Sequence, residues 1–421
     1  MSAGDFAAIS ASASNMQAGS KVVKGFFNKV RDLYSIVLCS LLSLVVKRKP
    51  DRWIFCSSFN TRFNYNSRAF FLFVREQCPD VEACFVINDE AEREKLQRNY
   101  GPHFVETRTL KGKIFALQAG VWITSVGLPV YILGATLRRV VINLWHGMPL
   151  KKIGLLQHNL TVVDRFRIRL LHSRSYTSII TTSDFFQPLF VSAFGCRPEV
   201  IKALGQPRND ALFCRNEEPP VLAALRQEHA SKKVLLYAPT FRDGGEPTRL
   251  FPFADFCPVA LADWLEQENI LLLIRMHQSE RGGSNAALEM LPNCAFIGAD
   301  LVEEVNEVLP HVDLLITDFS GIFIDFLLTG KPMLFIPYDL VEYEADRGFL
   351  YDYDAYTPGP KVNSFNGFCQ EAEALLSPSD HYKTERDRVN ARFNEFGDGN
   401  CKRILGHAQA LQRRTMEPGG S

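Results

Sequence analysis

The chain has 421 residues, which is too long for one ordinary hydrophobic core and suits two domains with a further segment. Hydrophobic residues make up 46% of it, and lysine plus arginine equals aspartate plus glutamate at 47 each, a balance that gives no indication of nucleic-acid binding. The ten cysteines form no CxxC pair and no Cys/His cluster at zinc spacing. We therefore expect the reduced, buried thiols of a cytosolic protein rather than a disulfide framework.

The N-terminal 50 residues divide into two segments. Residues 1–20 are small, polar and low in complexity, which is typical of a disordered leader. Residues 21–50 combine apolar residues at helical spacing with basic ones, and their apolar run of 14 residues is too short for a bilayer core of about 30 Å. The segment predicts an amphipathic helix lying on an anionic cytoplasmic leaflet, or equally a helix packed on the first domain.

From Trp53 onward, short β-rich runs alternate with longer amphipathic runs. The first half predicts strands at WIFCSSF, EACFVIN, VWITSV, VVINLW and SIITTS, and helices at 67–77, 90–98, 109–118, 164–173 and 184–194, the last with Ser183 as its N-cap. The second half predicts strands at KVLLYAP, ILLLIRM, CAFIGA, VDLLIT and PMLFIP, and helices near 255–268, 301–309 and 320–328.

Unbroken apolar strands separated by helix-length segments are typical of parallel sheets covered on both faces. The sequence therefore predicts an α/β fold with two Rossmann-like domains that face each other across a cleft. We place the N-terminal domain at 51–205, the C-terminal domain at 206–378 and a charged helical tail at 379–421.

Chemically useful side chains follow four of the predicted strands, in both halves. They are His146 after VVINLW, Pro239, Thr240 and Arg242 after VLLYA, Arg275 and His277 at the end of ILLLIRMH, and Asp318 and Ser320 after VDLLIT. Open parallel sheets bind ligands at the carboxyl ends of their strands, so these positions indicate one shared cleft.

Two histidines and two arginines in this cleft indicate acid–base chemistry on a phosphate-containing ligand. A lone histidine is most often structural, but His146 and His277 together provide a general base and a group that stabilises charge. Arg208 and Arg275 can neutralise phosphate oxygens, for which a guanidinium suits better than an ammonium; surface ion pairs are the alternative. The pair at 151–152 is interpreted as two lysines solvated at a helix start.

The stretch LLITDFSGIFIDFLLTGKPMLFIP predicts a strand that ends at Thr317 and an apolar helix that starts at Ser320-Gly321 and is capped by Gly330. Free backbone N–H groups at such a helix start bind phosphate readily, and glycine lets an anion approach. The stretch is neither a Walker A loop nor a GxGxxG fingerprint. A plain βαβ crossover with Ser320 as N-cap explains it equally well.

Six motifs in order resemble the CDP-glycerol glycerophosphotransferase family, whose enzymes prime and polymerise teichoic acids and build related capsule polymers. The motifs are WHGMPLKKIG, GQPRND, YAPTFRD, RMH, TDFSGIFIDF and YEADRGFLYDYDAYTPGP, with FNYNSRAFF at 63–71 as a weaker seventh. The resemblance covers about residues 53 to 360.

This resemblance implies a GT-B fold whose second domain mainly holds the donor, CDP-glycerol or CDP-ribitol. A hydroxyl of a lipid-linked or polymeric polyol or glycan acceptor attacks the β-phosphorus, and CMP leaves. The implied catalytic residues are His146 and His277, and the implied donor-binding residues are Gly147, Met148, Pro149, Leu150, Arg208, Pro239, Thr240, Arg275, Met276, Asp318, Ser320, Gly321 and Asp325. With the basic N-terminal helix, this places a peripheral enzyme on the cytoplasmic face of the membrane.

Two positions depart from the family pattern. Gly321 replaces a second serine, which removes a hydroxyl contact to phosphate, and Met148 replaces a usual threonine, which removes a hydroxyl beside the base. We expect no tightly bound cofactor or metal, although Asp318 and Asp325 could in principle hold a divalent ion. Two alternative functions stay open: a GT-B nucleotide-sugar glycosyltransferase, and a non-catalytic GT-B-like binding protein.

Overall fold

A computed structural model describes residues 33–171, 174–214, 218–229, 233–242, 248–276, 286–378 and 380–416. The predicted leader, residues 21–32 of the predicted basic helix, and His277 lie outside these described residues. Two parallel sheets form the centre of an α/β fold, as the uninterrupted apolar runs predicted. Within the described ranges, no helix combines the length and the apolar character needed to cross a membrane.

The first sheet has seven strands in the order β3-β2-β1-β4-β5-β6-β7, and every neighbouring pair is parallel. Its strands are β1 (Lys49–Cys56), β2 (Glu82–Val86), β3 (Phe104–Val105), β4 (Ala119–Thr124), β5 (Val140–Asn143), β6 (Ser178–Thr181) and β7 (Ile201–Ala203). All five predicted strands are present. The two unpredicted ones, β3 and β7, have only two and three residues, too few to show a pattern.

The second sheet has five parallel strands in the order β10-β9-β8-β11-β12, and all five were predicted. They are β8 (Lys233–Tyr237), β9 (Ile270–Ile274), β10 (Cys294–Phe296), β11 (Leu314–Thr317) and β12 (Met333–Phe335). The strand order reverses between β8 and β11, which is the place where a doubly wound sheet opens a crevice for ligands.

Fifteen α-helices lie within the described residues. They are α1 (33–45), α2 (Tyr65–Gln77), α3 (Glu90–Tyr100), α4 (Leu110–Leu117), α5 (Val162–Leu171), α6 (Gln187–Phe194), α7 (Pro220–His229), α8 (Pro258–Gln267), α9 (Ala286–Glu289), α10 (Ile322–Phe326), α11 (Leu340–Asp346), α12 (Tyr353–Tyr356), α13 (Phe365–Leu375), α14 (Lys383–Phe393) and α15 (Asn400–Met416).

Two predictions about helices of this fold are wrong. Residues 301–309 form no α-helix; short 3-10 turns lie at Val305–Glu307 and Leu309–His311, because Glu304 and Glu307 are drawn across to residues of the first half. Ser183 does not cap the following helix through its side chain; a 3-10 turn precedes α6 and leads into it.

A single hydrophobic cluster joins the two halves. It contains Trp122 and Val141 of the first sheet together with Leu236 and Leu315 of the second. The last helix, α15, also returns to the first half, where Ile404 packs in a cluster with the residues of β1. The two sheets are therefore held together by buried apolar surface, which fixes the cleft between them.

The ten cysteines are all described, and all are free thiols. Six are buried and two are partly buried, as expected for reduced cysteines. Cys214 and Cys257 are exposed, so the expectation of burial is wrong for those two.

Helix α1 lies against the first half with one face and exposes the other. Cys39 is fully buried, and the Ser43 hydroxyl accepts a hydrogen bond from the buried Arg139 at 2.9 Å. On the opposite face the apolar side chains of Leu41 and Leu44 are each 60% exposed. The helix thus combines a docked face with an exposed apolar stripe.

Candidate active site

A cavity of about 440 Å³ lies between the two halves, at the carboxyl ends of β5, β8, β9 and β11. The structure brings nearly all predicted site residues to it: His146, Gly147, Met148, Pro149, Leu150, Arg208, Pro239, Thr240, Arg275, Met276, Ser320, Gly321 and Asp325. Asp318 is buried behind the wall, and His277, next to Met276, lies outside the described residues.

His146 reaches the cavity on a sharp turn after β5. Trp145 adopts the left-handed conformation (φ +58°), and Gly147 has φ +127°, which L side chains rarely adopt. The imidazole lies between two rings, 4.4 Å from Trp145 and 5.6 Å from Tyr65 between centroids. The glycine after the histidine is thus needed for the turn that presents the imidazole.

His146 is held in its neutral form. Burial, and next the positive charge of Arg208, lower its pKa to about 4, although a hydrogen bond with the backbone of Ser125 acts in the opposite direction. Its Nδ1 atom is buried and has no hydrogen-bond partner among the described residues. A neutral imidazole that lines a cavity can accept a proton from a bound hydroxyl.

Arg208 lies beside this histidine and is anchored by a carboxylate of the second half. Its Nη2 atom is 2.5 Å from Asp325 Oδ2, and Asp325 is 1% exposed. Asn209 and Asn306 donate further hydrogen bonds to the same carboxylate. A Cβ atom at Gly147 would lie 2.7 Å from the Arg208 guanidinium, so this glycine also makes room for the arginine.

Asp318 and Asp325, the candidate ligands for a divalent ion, are both engaged by arginines. Asp318 Oδ2 pairs with Arg242 at 2.9 Å, and its Oδ1 accepts the backbone N–H of Thr240 at 2.8 Å. Arg242 also binds Asp339. In the described ranges no group of three His, Cys, Asp or Glu side chains could hold a metal ion. Asp318 and Arg242 thus fix the Pro239-Thr240 wall of the cavity.

Arg275 lines the cavity, and its guanidinium is engaged by backbone carbonyls. Its Nη1 donates to the carbonyls of Ile297 (3.0 Å), Gly298 (2.9 Å) and Val302 (2.5 Å), and its Nη2 donates to Glu303. In this structure Arg275 braces the loop after β10.

The helix after Ser320 is shorter than predicted. Helix α10 has five residues, then a 3-10 turn continues to Thr329, and Gly330 ends it with φ +70°, which confirms the predicted glycine cap. The N-cap is Gly321, and a Cβ atom there would collide with the Met148 carbonyl oxygen. The two positions that depart from the family pattern therefore face each other across the cleft.

The chain after His146 crosses to the second half. Lys151 forms an antiparallel bridge with Phe349, and the Lys152 N–H donates to the Gly348 carbonyl at 2.9 Å. No α-helix starts at these lysines, so that interpretation is wrong; Lys151 lines the cavity instead.

Several residues at the cavity or buried near it have no role predicted by the sequence. Tyr65 lies on the wall, and Asn66 lies behind it; both belong to FNYNSRAFF, the weakest of the seven family motifs. Asn306 belongs to the loop mispredicted as a helix, and no pattern in the sequence marks it.

Two parallel sheets that place a neutral histidine and an anchored arginine at a shared cavity define an α/β protein with a candidate ligand site at the carboxyl ends of its strands. The sequence profile described as CDP-Glycerol:Poly(glycerophosphate) glycerophosphotransferase matches residues 38–407. The chain belongs to this family.

Curated relatives act in teichoic acid synthesis, as their names state. The chain is 28% identical over 387 residues to the teichoic acid poly(glycerol phosphate) polymerase of Bacillus spizizenii, covering 90% of this chain and 95% of that protein. It is 27% identical over 373 residues to the teichoic acid ribitol-phosphate polymerase TarL of Staphylococcus aureus, covering 82% and 66%. It covers only 42% of the ribitol-phosphate polymerase TarK of the same species, at 32% identity over 222 residues.

Among solved structures, the wall teichoic acid polymerase TagF has the same fold. It superposes with a TM-score of 0.71 at 23% identity, covering 94% of this chain and 99% of that one. At that level of identity the similarity establishes the fold alone.

Proposed function

We propose that this chain transfers glycerol phosphate from CDP-glycerol to a hydroxyl group of a teichoic-acid-like or capsular polymer. The observation that carries the proposal is a cavity that gathers residues of the family motifs around a neutral His146 and the Arg208 guanidinium. The family to which the chain belongs is described by this donor and this reaction.

In the proposed reaction an acceptor oxygen attacks the β-phosphorus of the donor. A new P–O bond forms, the bond from this phosphorus to the bridging oxygen breaks, and the electron pair of that bond leaves with CMP. His146 takes the proton of the attacking hydroxyl, for which a neutral imidazole that lines the cavity is suited. Arg208 and Lys151, which both line the cavity, supply positive charge for the diphosphate.

We propose that the two sheets are the two domains of a GT-B fold and that the donor lies mainly against the second. The Pro239-Thr240 wall and the Ser320-Gly321 turn belong to that half. Since CDP-glycerol is itself the activated donor, the proposed reaction needs no cofactor.

CDP-ribitol is a second candidate donor, because the relatives include ribitol-phosphate polymerases. A panel of CDP-alditols and nucleotide sugars, offered to the purified chain with a polyol phosphate acceptor, tests the proposal. CMP release from CDP-glycerol or CDP-ribitol supports it. Release of UDP or GDP from a sugar nucleotide identifies a glycosyltransferase instead, and donor binding without any release identifies a binding protein.

We also propose that the protein is peripheral on the cytoplasmic face of an anionic membrane. Helix α5 exposes Val162, Val163 and Phe166, and α1 exposes its own apolar stripe. The two helices are linked by the segment at 131–137: its Leu133 N–H donates to Ser40 of α1, and its Thr136 donates to a carbonyl just beyond α5.

Basic residues border these apolar stripes. Lysines and arginine follow α1 at 47–49, and α5 carries Arg165, Arg167 and Arg169. Apolar side chains that insert among headgroups, flanked by cations that attract anionic lipids, are the properties of an interfacial surface.

A further inference from the structure

The side chain of Asn66 connects the turn that carries His146 to Arg208. Asn66 is fully buried. Its Nδ2 donates to the carbonyls of Leu144 at 3.2 Å and Trp145 at 2.9 Å, and its Oδ1 accepts the Arg208 backbone N–H at 3.1 Å. The side-chain amide of Asn66 thus contacts both the turn that carries His146 and the segment that carries Arg208.

The turn after β5 needs such a partner. Trp145 is a bulky residue in the left-handed region, which costs roughly 1–2 kcal/mol and persists only where neighbours hold it. Its N–H is held by the Asn143 side chain at 2.8 Å. The carbonyls of Leu144 and Trp145 leave the sheet here, and a buried carbonyl needs a donor, which Asn66 supplies to both.

The position of Asn66 is fixed from the opposite side as well. It is the second residue of α2, directly after Tyr65, whose ring contacts His146 and whose backbone N–H donates to Glu304 of the second half. Arg68 of the same helix pairs with Glu307 at 2.6 Å. The start of α2 is therefore tied to the second half while its asparagine holds the turn of the first.

We propose that Asn66 is a positioning residue, which fixes the His146 turn relative to Arg208 so that base and phosphate-binding group keep one geometry. The inference rests on the proposed function, since it concerns the same site. It assigns a role to FNYNSRAFF, the motif that the proposed reaction leaves unused.

Asn66→Asp tests this inference because it preserves shape and the acceptor while removing the donor to both carbonyls. Since a misplacement of about 1 Å can cost on the order of 100-fold, we expect kcat to fall 10- to 100-fold while the KM for CDP-glycerol changes less than threefold. Asn66→Ser keeps one small donor, so its kcat should lie between the Asp variant and the wild type.

The matched control is Asn64→Asp. Asn64 is 1% exposed and lies beside the same helix start, but its Oδ1 accepts only from Ser57 Oγ at 2.6 Å and its Nδ2 has no partner among the described residues. We expect this variant to keep wild-type kcat. Equal losses of kcat in both variants would show a general packing effect and overturn the positioning role.

A second readout does not depend on turnover. NMR titration of the His146 ring, assigned by its absence in His146→Ala, should give a higher pKa in Asn66→Ser than in the wild type, because a loosened turn exposes the imidazole to water and the serine adds no charge of its own. An unchanged titration together with unchanged kcat overturns the inference. If the wild type releases no CMP from CDP-glycerol, the proposed function fails, and the titration alone still decides whether Asn66 holds the turn.

Discussion

The guanidinium of Arg208 lies 2.5 Å from the carboxylate of Asp325, and this ion pair joins the segment between the two sheets to the helix after β11. Asp325 was expected to contact the donor from the resemblance. In the structure its oxygens are bonded to Arg208, Asn209 and Asn306. Asp325 therefore holds the arginine at the cavity. Asp210, the last residue of the GQPRND motif that contains Arg208, accepts the N–H groups at the start of α15.

Removing the buried charge of Asp325 should destabilise the protein. In Asp325→Asn the guanidinium of Arg208 stays largely buried without its anion, which costs about 3–5 kcal/mol. We expect the free energy of unfolding, measured by denaturant titration, to fall by about 3 kcal/mol. The control is Asp387→Asn, which breaks the exposed ion pair with Lys383. This variant should change the free energy of unfolding by less than about 0.5 kcal/mol. Equally small losses of unfolding free energy in the two variants would mean that the pair of Arg208 and Asp325 is solvated.

The pH dependence of the reaction should reflect the lowered pKa of His146. In the proposed reaction the neutral form of His146 is the base, so kcat/KM should keep its plateau down to about pH 5 and fall toward the pKa of about 4. The acid limb in the pH profile of kcat should lie at higher pH, because the negative charge of bound CDP-glycerol favours the imidazolium and so raises the pKa of His146. In Arg208→Gln the loss of a positive charge should raise the pKa of His146. An acid limb of kcat/KM near pH 6.5 would contradict this assignment.

The same pKa predicts a stability effect. The folded protein binds the His146 proton more weakly than the unfolded chain, whose pKa is about 6.5. The contribution of neutral His146 to the free energy of unfolding is thus fully present above pH 6.5. It is lost as the pH falls toward 4, because the unfolded chain takes up the proton first. His146→Gln cannot titrate there, so its unfolding free energy should fall less between pH 7 and 4.5 than that of the wild type. Parallel pH profiles would contradict the lowered pKa.

Restoring the family serine at position 321 should impair this chain. The added Cβ atom would collide with the Met148 carbonyl, and overpacking of this kind costs about 1–3 kcal/mol. We expect Gly321→Ser to reduce stability and CMP release. Gly406→Ser is the control, because a Cβ there meets no atom within 4 Å, and it should change stability by no more than about 0.5 kcal/mol. Higher activity in Gly321→Ser would show that the hydroxyl contact outweighs the collision.

Membrane binding should depend on the exposed face of α5. In vesicle flotation we expect the double change Val163→Asp and Phe166→Asp to lower binding to anionic vesicles at least fivefold, since it removes apolar area and adds negative charge. Val341→Asp alters a residue that is 77% exposed on α11 of the second half and should leave binding unchanged. Equal losses from both variants would remove α5 as the membrane contact.

The strands could be predicted because a strand buried on both faces appears as a continuous apolar run. This holds for ILLLIRM, whose residues 270–274 are all buried. The loop at 301–309 could not be predicted, because Glu304 and Glu307 obtain their partners from the first half, and such contacts override a local helical pattern.

The cavity could be located from the strand ends, but the roles of its charged groups could not be assigned. Arg275 and Asp318 fall where ligands bind, yet their polar atoms are used by nearby backbone groups and by Arg242. Asn66 and Arg208 are 142 residues apart in sequence, so their hydrogen bond follows from the packing of the two halves.

The most direct test is CMP release by the purified chain from CDP-glycerol, with a polyol phosphate acceptor, compared between wild type, His146→Ala and the control His381→Ala. His381 is exposed and lies away from the cavity, so its variant should retain wild-type turnover. Loss of the general base should reduce kcat by about 100- to 10,000-fold while CDP-glycerol still binds. Wild-type turnover in folded His146→Ala would contradict the assignment of this histidine as the base.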